Sequence, residues 1–169
     1  MTTFEELFAN TTRSAVHLEM RDGYMVTPGF AAWQQGHRHA PDDRASWWRP
    51  WLDLVQKTVE RGVEIRRARI ISEPISDYVR YEYDISFTNI AAGEQIRWLP
   101  RRQASTLTLP GNDFWVFDDE LVLFNHFDGN GEMAPLDSEI TKEPAAAKLC
   151  SDAFHQVWER ATPHENYKP

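Results

Sequence analysis

A single cysteine, Cys150, stands among 169 residues, so an intramolecular disulfide framework is excluded. No apolar run approaches the roughly 18 residues that a membrane helix needs. The longest apolar patches, such as Leu121 to Phe124, have strand length. Positive charge is in deficit, with 18 Lys and Arg against 26 Asp and Glu and a formal net charge of -8. That balance disfavours a broad surface for nucleic acid or an anionic membrane, and no direct nucleic-acid contact is expected. A glycine-rich phosphate loop is also missing: Gly111, Gly129 and Gly131 match neither a P-loop nor a dinucleotide fingerprint. The opening residues, MTTFEELFANTTRSA, carry early acidic groups and no apolar h-region. A secretory signal is therefore not expected there, and a cytoplasmic protein is the expectation. No metal or other cofactor is expected either. His37 and His39 lie near Asp42 and Asp43 in a Pro/Gly-rich stretch, without a second cluster at ligand spacing.

What remains is a globular composition, 41% hydrophobic and 26% charged, long enough to bury a core without staples. One domain, residues 1–169, is expected. Ser14 to Arg21 alternates, with Val16, Leu18 and Met20 on one side, as a half-buried strand does. Thr27 to Arg44 reads as a flexible loop because of its prolines, glycines and the polar run HRHAPDD. Trp48, Trp51, Leu52, Val55 and Val59 recur at helical spacing, with Pro50 in the first turn and Gly62 at the stop. Val63 to Ile71 is a β-branched strand, and Ser76 caps a helix that runs to about Ala92. Gln95 to Leu99, Phe114 to Phe117 and Leu121 to Phe127 are further strands, the last two forming a hairpin about Asp118-Asp119-Glu120. Pro144 opens a final helix whose inward face is Ala147, Cys150, Phe154, Val157 and Trp158. Strand–helix alternation implies parallel neighbours, and the hairpin adds antiparallel pairing. The expected fold is α/β, a mixed, mostly parallel sheet with flanking helices.

Several polar residues stand out against this frame. Arg66, Arg67 and Arg69 crowd one strand, and Arg67 and Arg69 share a face with Val63 and Ile65. A buried arginine needs a partner, and Glu73, Asp77, Glu82 and Asp84 are the carboxylates close in sequence. Structural ion pairs are one reading. The other places Arg69 at the strand's C-terminal end, where open α/β sheets bind ligands, with Arg97 joining from the next strand. Tyr78, Tyr81 and Tyr83 on the second helix either pack or form a stacking platform. Asn125-His126-Phe127-Asp128 ends a strand, where it either stabilises a turn or does acid/base work. Cys150 reads as a small buried apolar group with no base beside it.

Taken together, SAVHLE from Ser14, Arg66 to Pro74, NIAAGE from Asn89, IRWLP from Ile96 and FWVFDD from Phe114 resemble an uncharacterised domain-of-unknown-function family of actinobacterial proteins. The resemblance spans nearly the whole chain. It implies genes placed beside helix-turn-helix regulators and brings no established activity. From about Trp47 to Ala161 the order of elements also resembles one half of the phospholipase D fold. It rests on VEIRRARII, QIRWL, the Asp-Asp hairpin and the closing helix. That superfamily carries a His-x-Lys-x4-Asp motif before a Gly-Ser pair. With Asp118 as the motif aspartate, Gly111 and Asp113 stand where His and Lys belong, and Asn125 and His126 replace Gly-Ser. With Asp119 instead, the residues are Asn112 and Phe114. Attack on phosphorus by that route needs the imidazole, so no catalytic residue is expected.

The function expected is that of a non-catalytic phospholipase D-like accessory or regulatory domain, binding a helix-turn-helix regulator or a small anionic ligand. The candidate binding residues are Arg69, Glu73, Tyr78, Arg97, Asp118, Asn125 and His126. Two alternatives are a hydrolase or transferase using His126 with a nearby aspartate, and a toxin or immunity member of a two-gene pair. The aromatic load of Trp33, Trp47 and Trp48 points to a homodimer.

Overall fold

The computed structural model describes residues 2–169. Its strands are β1 (Ser14–Glu19), β2 (Glu64–Ile71), β3 (Gln95–Pro100), β4 (Phe114–Phe117), β5 (Leu121–Phe127), β6 (Met133–Thr141) and β7 (Thr162–Pro163). Its helices are α1 (Phe4–Asn10), α2 (Pro28–Gln34), α3 (Arg44–Trp47), α4 (Pro50–Glu60), α5 (Asp77–Ala91) and α6 (Pro144–Arg160). The strands make one sheet in the order β6-β5-β4-β1-β2-β3-β7. The mixed α/β class with flanking helices is as expected. The balance of pairing is not: only β1–β2 and β2–β3 are parallel, and the other four pairings are antiparallel. Tight turns join β4 to β5 and β5 to β6, whereas β4 returns beside β1 through the 101–113 connection and β7 follows α6. Asp118 and Asp119 take φ of 53° and 61° between β4 and β5. The Asp128 carboxylate accepts from the amides of Asn130 and Glu132 at 2.8 and 3.0 Å, turning β5 into β6.

The stretch read as a flexible loop contains a helix. Thr27 caps α2 by accepting from the Phe30 amide at 3.2 Å, and Pro28 occupies its first turn. Phe30 is the one buried residue of this helix, and its ring meets Tyr78 and Tyr81 of α5 at 5.1 and 5.3 Å. Gly29 permits this approach, since a Cβ there would sit 2.6 Å from the Tyr81 hydroxyl.

Alternation along the strands divides the core into two layers. Val16, Leu18, Ala68, Ile70, Phe114 and Val116 face α6, meeting Ala147, Cys150, Phe154 and Val157. Ala15, Ile65, Trp115 and Phe117 face the other way, onto Leu7, Phe8, Leu52 and Val55 of α1 and α4. α5 covers β3 on that second side, and Val79 joins Ile71, Ile96 and Trp98. Its start is held by Ser76, which accepts from the Val79 amide at 3.1 Å. Its end is held by Gly93, at φ 103°, where a Cβ would press within 2.9 Å of Val59 on α4. The two crossover helices are thereby packed together over the sheet, with a cleft left between them.

Candidate functional site

Parallel pairing of β1 with β2 sets Glu19 opposite Arg69. Arg67 and Arg69 project from β2 on the face of Ile65, under α5, where water is excluded: they are 9% and 7% exposed. A buried guanidinium is tolerable only with close counter-charges. Arg67 reaches Glu19 through Nη1 and Glu94 through Nε, each at 2.6 Å. Arg69 reaches Glu19 at 3.2 Å and Glu82 of α5 at 2.5 Å. The second oxygen of Glu94 accepts from the Asn89 amide at 2.6 Å. Burial alone would lower the pKa of both arginines. Glu94 and Glu19 at Arg67, and Glu19 and Glu82 at Arg69, more than offset it and hold both above their ordinary value. His17 stacks on Trp115 with ring centroids 4.2 Å apart, and its Nδ1 lies 3.5 Å from Glu19. Burial, then Arg67 and Arg69, push the His17 pKa well below its usual value. His17 is therefore neutral at pH 7, and its contact with Glu19 is not an ion pair.

Above this ionic floor lies a cleft of about 610 Å³ between the α3–α4 segment and α5. Trp47, Trp48 and Trp51 line it from one side, Tyr78 and Tyr81 from the other, and Arg49 reaches it from the start of α4. Arg49 donates through Nη1 to Thr88 Oγ1 at 3.2 Å and through Nη2 to Asn89 Oδ1 at 3.1 Å.

Of the candidates named from sequence, Arg69 and Tyr78 line this cleft together. Arg97 does not join them. The β2–β3 register pairs it with Ala68, whose side chain faces α6, so Arg97 donates to the Trp158 carbonyl at 2.9 Å and lies 4.4 Å over the Trp158 ring. Glu73 sits apart at the C-terminal edge, accepting from the Tyr167 hydroxyl at 3.0 Å. Asp118 holds a turn: it accepts from the amides of Thr12, Arg13 and Ser14 at 2.8, 2.7 and 2.9 Å. Asn125 pairs through its backbone with Asp113 at 2.8 Å, and His126 stands 3.8 Å from Glu139 of the neighbouring strand. Arg97, expected to join Arg69, is thus turned away, and the cleft is built from Arg69, Tyr78 and Arg49 instead. Of the carboxylates expected beside the arginines, Glu82 alone takes part. Glu19 and Glu94 come from the end of β1 and the turn before β3.

At the motif positions given by the Asp118 frame, Gly111 has no functional side chain and Asp113 is 3% exposed. Asp113 accepts from the Met20 amide at 2.9 Å and from the Tyr24 hydroxyl. Burial raises its pKa to about 6 against those hydrogen bonds.

The whole described chain, residues 2–169, matches the profile of the domain of unknown function DUF6879. The chain belongs to that family. No curated protein matches the sequence. Among solved structures it is similar to Nuc from Salmonella typhimurium, a phospholipase D family member, with a TM-score of 0.50 and 12% identity, over 98% of this chain and 88% of that one. At that identity the likeness shows the fold, and the phospholipase D-like architecture expected from the sequence is found. TrmBL2, an archaeal chromatin protein described as showing a novel mode of DNA binding, gives a TM-score of 0.48 and 15% identity over 93% of this chain. The present chain spans 47% of TrmBL2, and a likeness at this level carries no argument.

Two substitutions test the architecture of the DUF6879 site. Glu94→Gln removes a charge from Arg67 in a dry environment and is expected to lower stability by about 3 kcal/mol, read from urea unfolding at pH 7. Asp118→Asn is expected to lose about 1–2 kcal/mol at pH 7. Burial raises the Asp118 pKa, but the amides of Ser14, Thr12 and Arg13 outweigh it and hold the carboxyl below its ordinary 3.8. A depressed carboxylate stabilises the fold fully above its unfolded value and stops doing so as pH falls through its folded value. The gap between wild type and Asp118→Asn therefore closes only below pH 3.8.

Proposed function

We propose that this DUF6879 chain is a non-catalytic, phospholipase D-like accessory domain whose cleft binds a small anion. The observation that carries this reading is Arg49. Among the described residues, the carboxylates within 4.0 Å of the site's arginines are all taken by Arg67 and Arg69, and none reaches Arg49. Its two hydrogen bonds go to neutral oxygens. A guanidinium has five N–H donors and stays charged, although burial lowers the pKa of this one. A half-buried cation with unused donors and no counter-ion favours an anionic guest, because the guest supplies what the desolvated charge lacks.

The absence of catalysis is supported by Gly111 and Asp113 at the positions of the attacking imidazole and its companion lysine. His126, the acid/base candidate named from the sequence, lies outside the cleft, against Glu139, while His39 lines the cleft. A protein partner is the second reading, favoured by β6. This edge strand leaves Leu136 81% exposed, beside Met133 and Ile140. Edge strands with apolar side chains are templates for added strands. A helix-turn-helix regulator, implied by the family resemblance, would fit that role.

Calorimetric titration with sodium acetate and with inorganic phosphate, at constant ionic strength, tests the anion site. Binding in the millimolar range is expected for at least one anion and is expected to weaken at least tenfold in Arg49→Gln. No heat from either, or equal affinity in the variant, would remove the reading. With bis(p-nitrophenyl) phosphate as substrate, wild type and His126→Ala are both expected to match the buffer rate. Turnover that disappears in His126→Ala would show an enzyme instead.

A further inference from the structure

The walls of the cleft say more about the guest than its charge does. Five aromatic side chains line it, and the indole N–H groups of two of them are already occupied within the protein. Trp47 Nε1 donates to the Ala40 carbonyl at 3.1 Å, and Trp48 Nε1 to Asp53 at 2.7 Å. What these side chains chiefly offer a guest is ring surface, which stacks best on another flat ring.

Charge narrows the class further. Arg49, Arg67 and Arg69 supply three positive charges, and Glu19, Glu82 and Glu94 supply three negative ones, so the cluster is balanced before any guest arrives. One negative charge can pair with Arg49. A second would face Glu82, whose Oε2 is held 2.5 Å from Arg69 within the same cleft. A cationic guest is disfavoured too. The π faces would attract it, but Glu82 is taken by Arg69, and Arg49 repels it. A cavity of about 610 Å³ holds a mono- or bicyclic compound with room for ordered water.

We infer that the guest is a planar aromatic monocarboxylate, its carboxylate on Arg49 and its ring against the cleft's indole and phenol faces. The inference rests on the anion-site reading above and adds the guest's shape and charge. A carboxylate accepts two parallel N–H bonds from a guanidinium, which fixes the ring's direction as well as its distance.

Titration of the full chain with four probes tests it: acetate, cyclohexanecarboxylate, indole-3-carboxylate and phenyl phosphate at pH 8, where the last is a dianion. Indole-3-carboxylate is expected to bind at least tenfold more tightly than acetate. It is also expected to exceed cyclohexanecarboxylate at least fivefold and to outcompete phenyl phosphate. Tyr81→Leu, checked for folding by circular dichroism, is expected to lower affinity for indole-3-carboxylate at least fivefold more than affinity for acetate. Equal affinity for the flat and the puckered acid, or tighter binding of the dianion, overturns this inference and leaves the anion site standing. No binding by any of the four overturns the anion site itself.

Discussion

The structure is organised around one carboxylate, Glu19, that serves two arginines on the adjacent strand. Its contacts with Arg67 at 2.6 Å and Arg69 at 3.2 Å tie the end of β1 to the middle of β2. Glu94 and Glu82 extend the same chain of charges to the turn before β3 and to α5. Each member is desolvated, so each is tolerable only while the others stay in place. Register follows from this. A one-residue slip of β2 against β1 would carry both guanidiniums to the α6 face, which is lined by Phe154, Val157 and other apolar groups with no counter-charge to offer.

The regular elements with strong apolar periodicity could be read directly from the sequence. α4, β2, α5, β3, the β4–β5 hairpin and α6 fall within a few residues of their expected bounds. α2 was hidden because its Pro and Gly signals belong both to loops and to helix starts, and because Phe30 is its one buried anchor. β6 was hidden for the opposite reason. Its sequence MAPLDSEIT is polar, it lies at the sheet edge, and backbone pairing with β5 holds it rather than a buried face. The site was legible where local alternation decides, as for Arg69, and obscure where register decides, as for Arg97. Arg67 meets Glu19 across 48 residues and Glu94 across 27, separations at which no local pattern signals contact. Arg49 was obscure for a further reason: it stands between Trp48 and Pro50 at a helix start, and its environment depends on the distant Thr88 and Asn89.

The likeness to a phospholipase D family member is one of architecture, and the residues set its limits. The β4–β5 turn that would carry the motif's aspartate is intact, with Asp118 fastening the chain before β1 to the end of β4. In the frame set by Asp118, the other two motif positions hold Gly111 and the buried Asp113, which accepts from the Tyr24 hydroxyl. The buried charges and the aromatic cleft lie on the other side of β1, between α4 and α5. The same sheet can carry either arrangement, because side chains at strand ends and in crossover loops change without disturbing the layers beneath.

Cys150 has a consequence of its own. It lies fully buried among Phe154, Val157 and the inner face of the sheet. Burial pushes its thiol up to about 11, so almost none of it is thiolate at neutral pH. Oxidants and electrophiles react with the thiolate. The folded domain therefore offers no reactive thiol for covalent cross-linking.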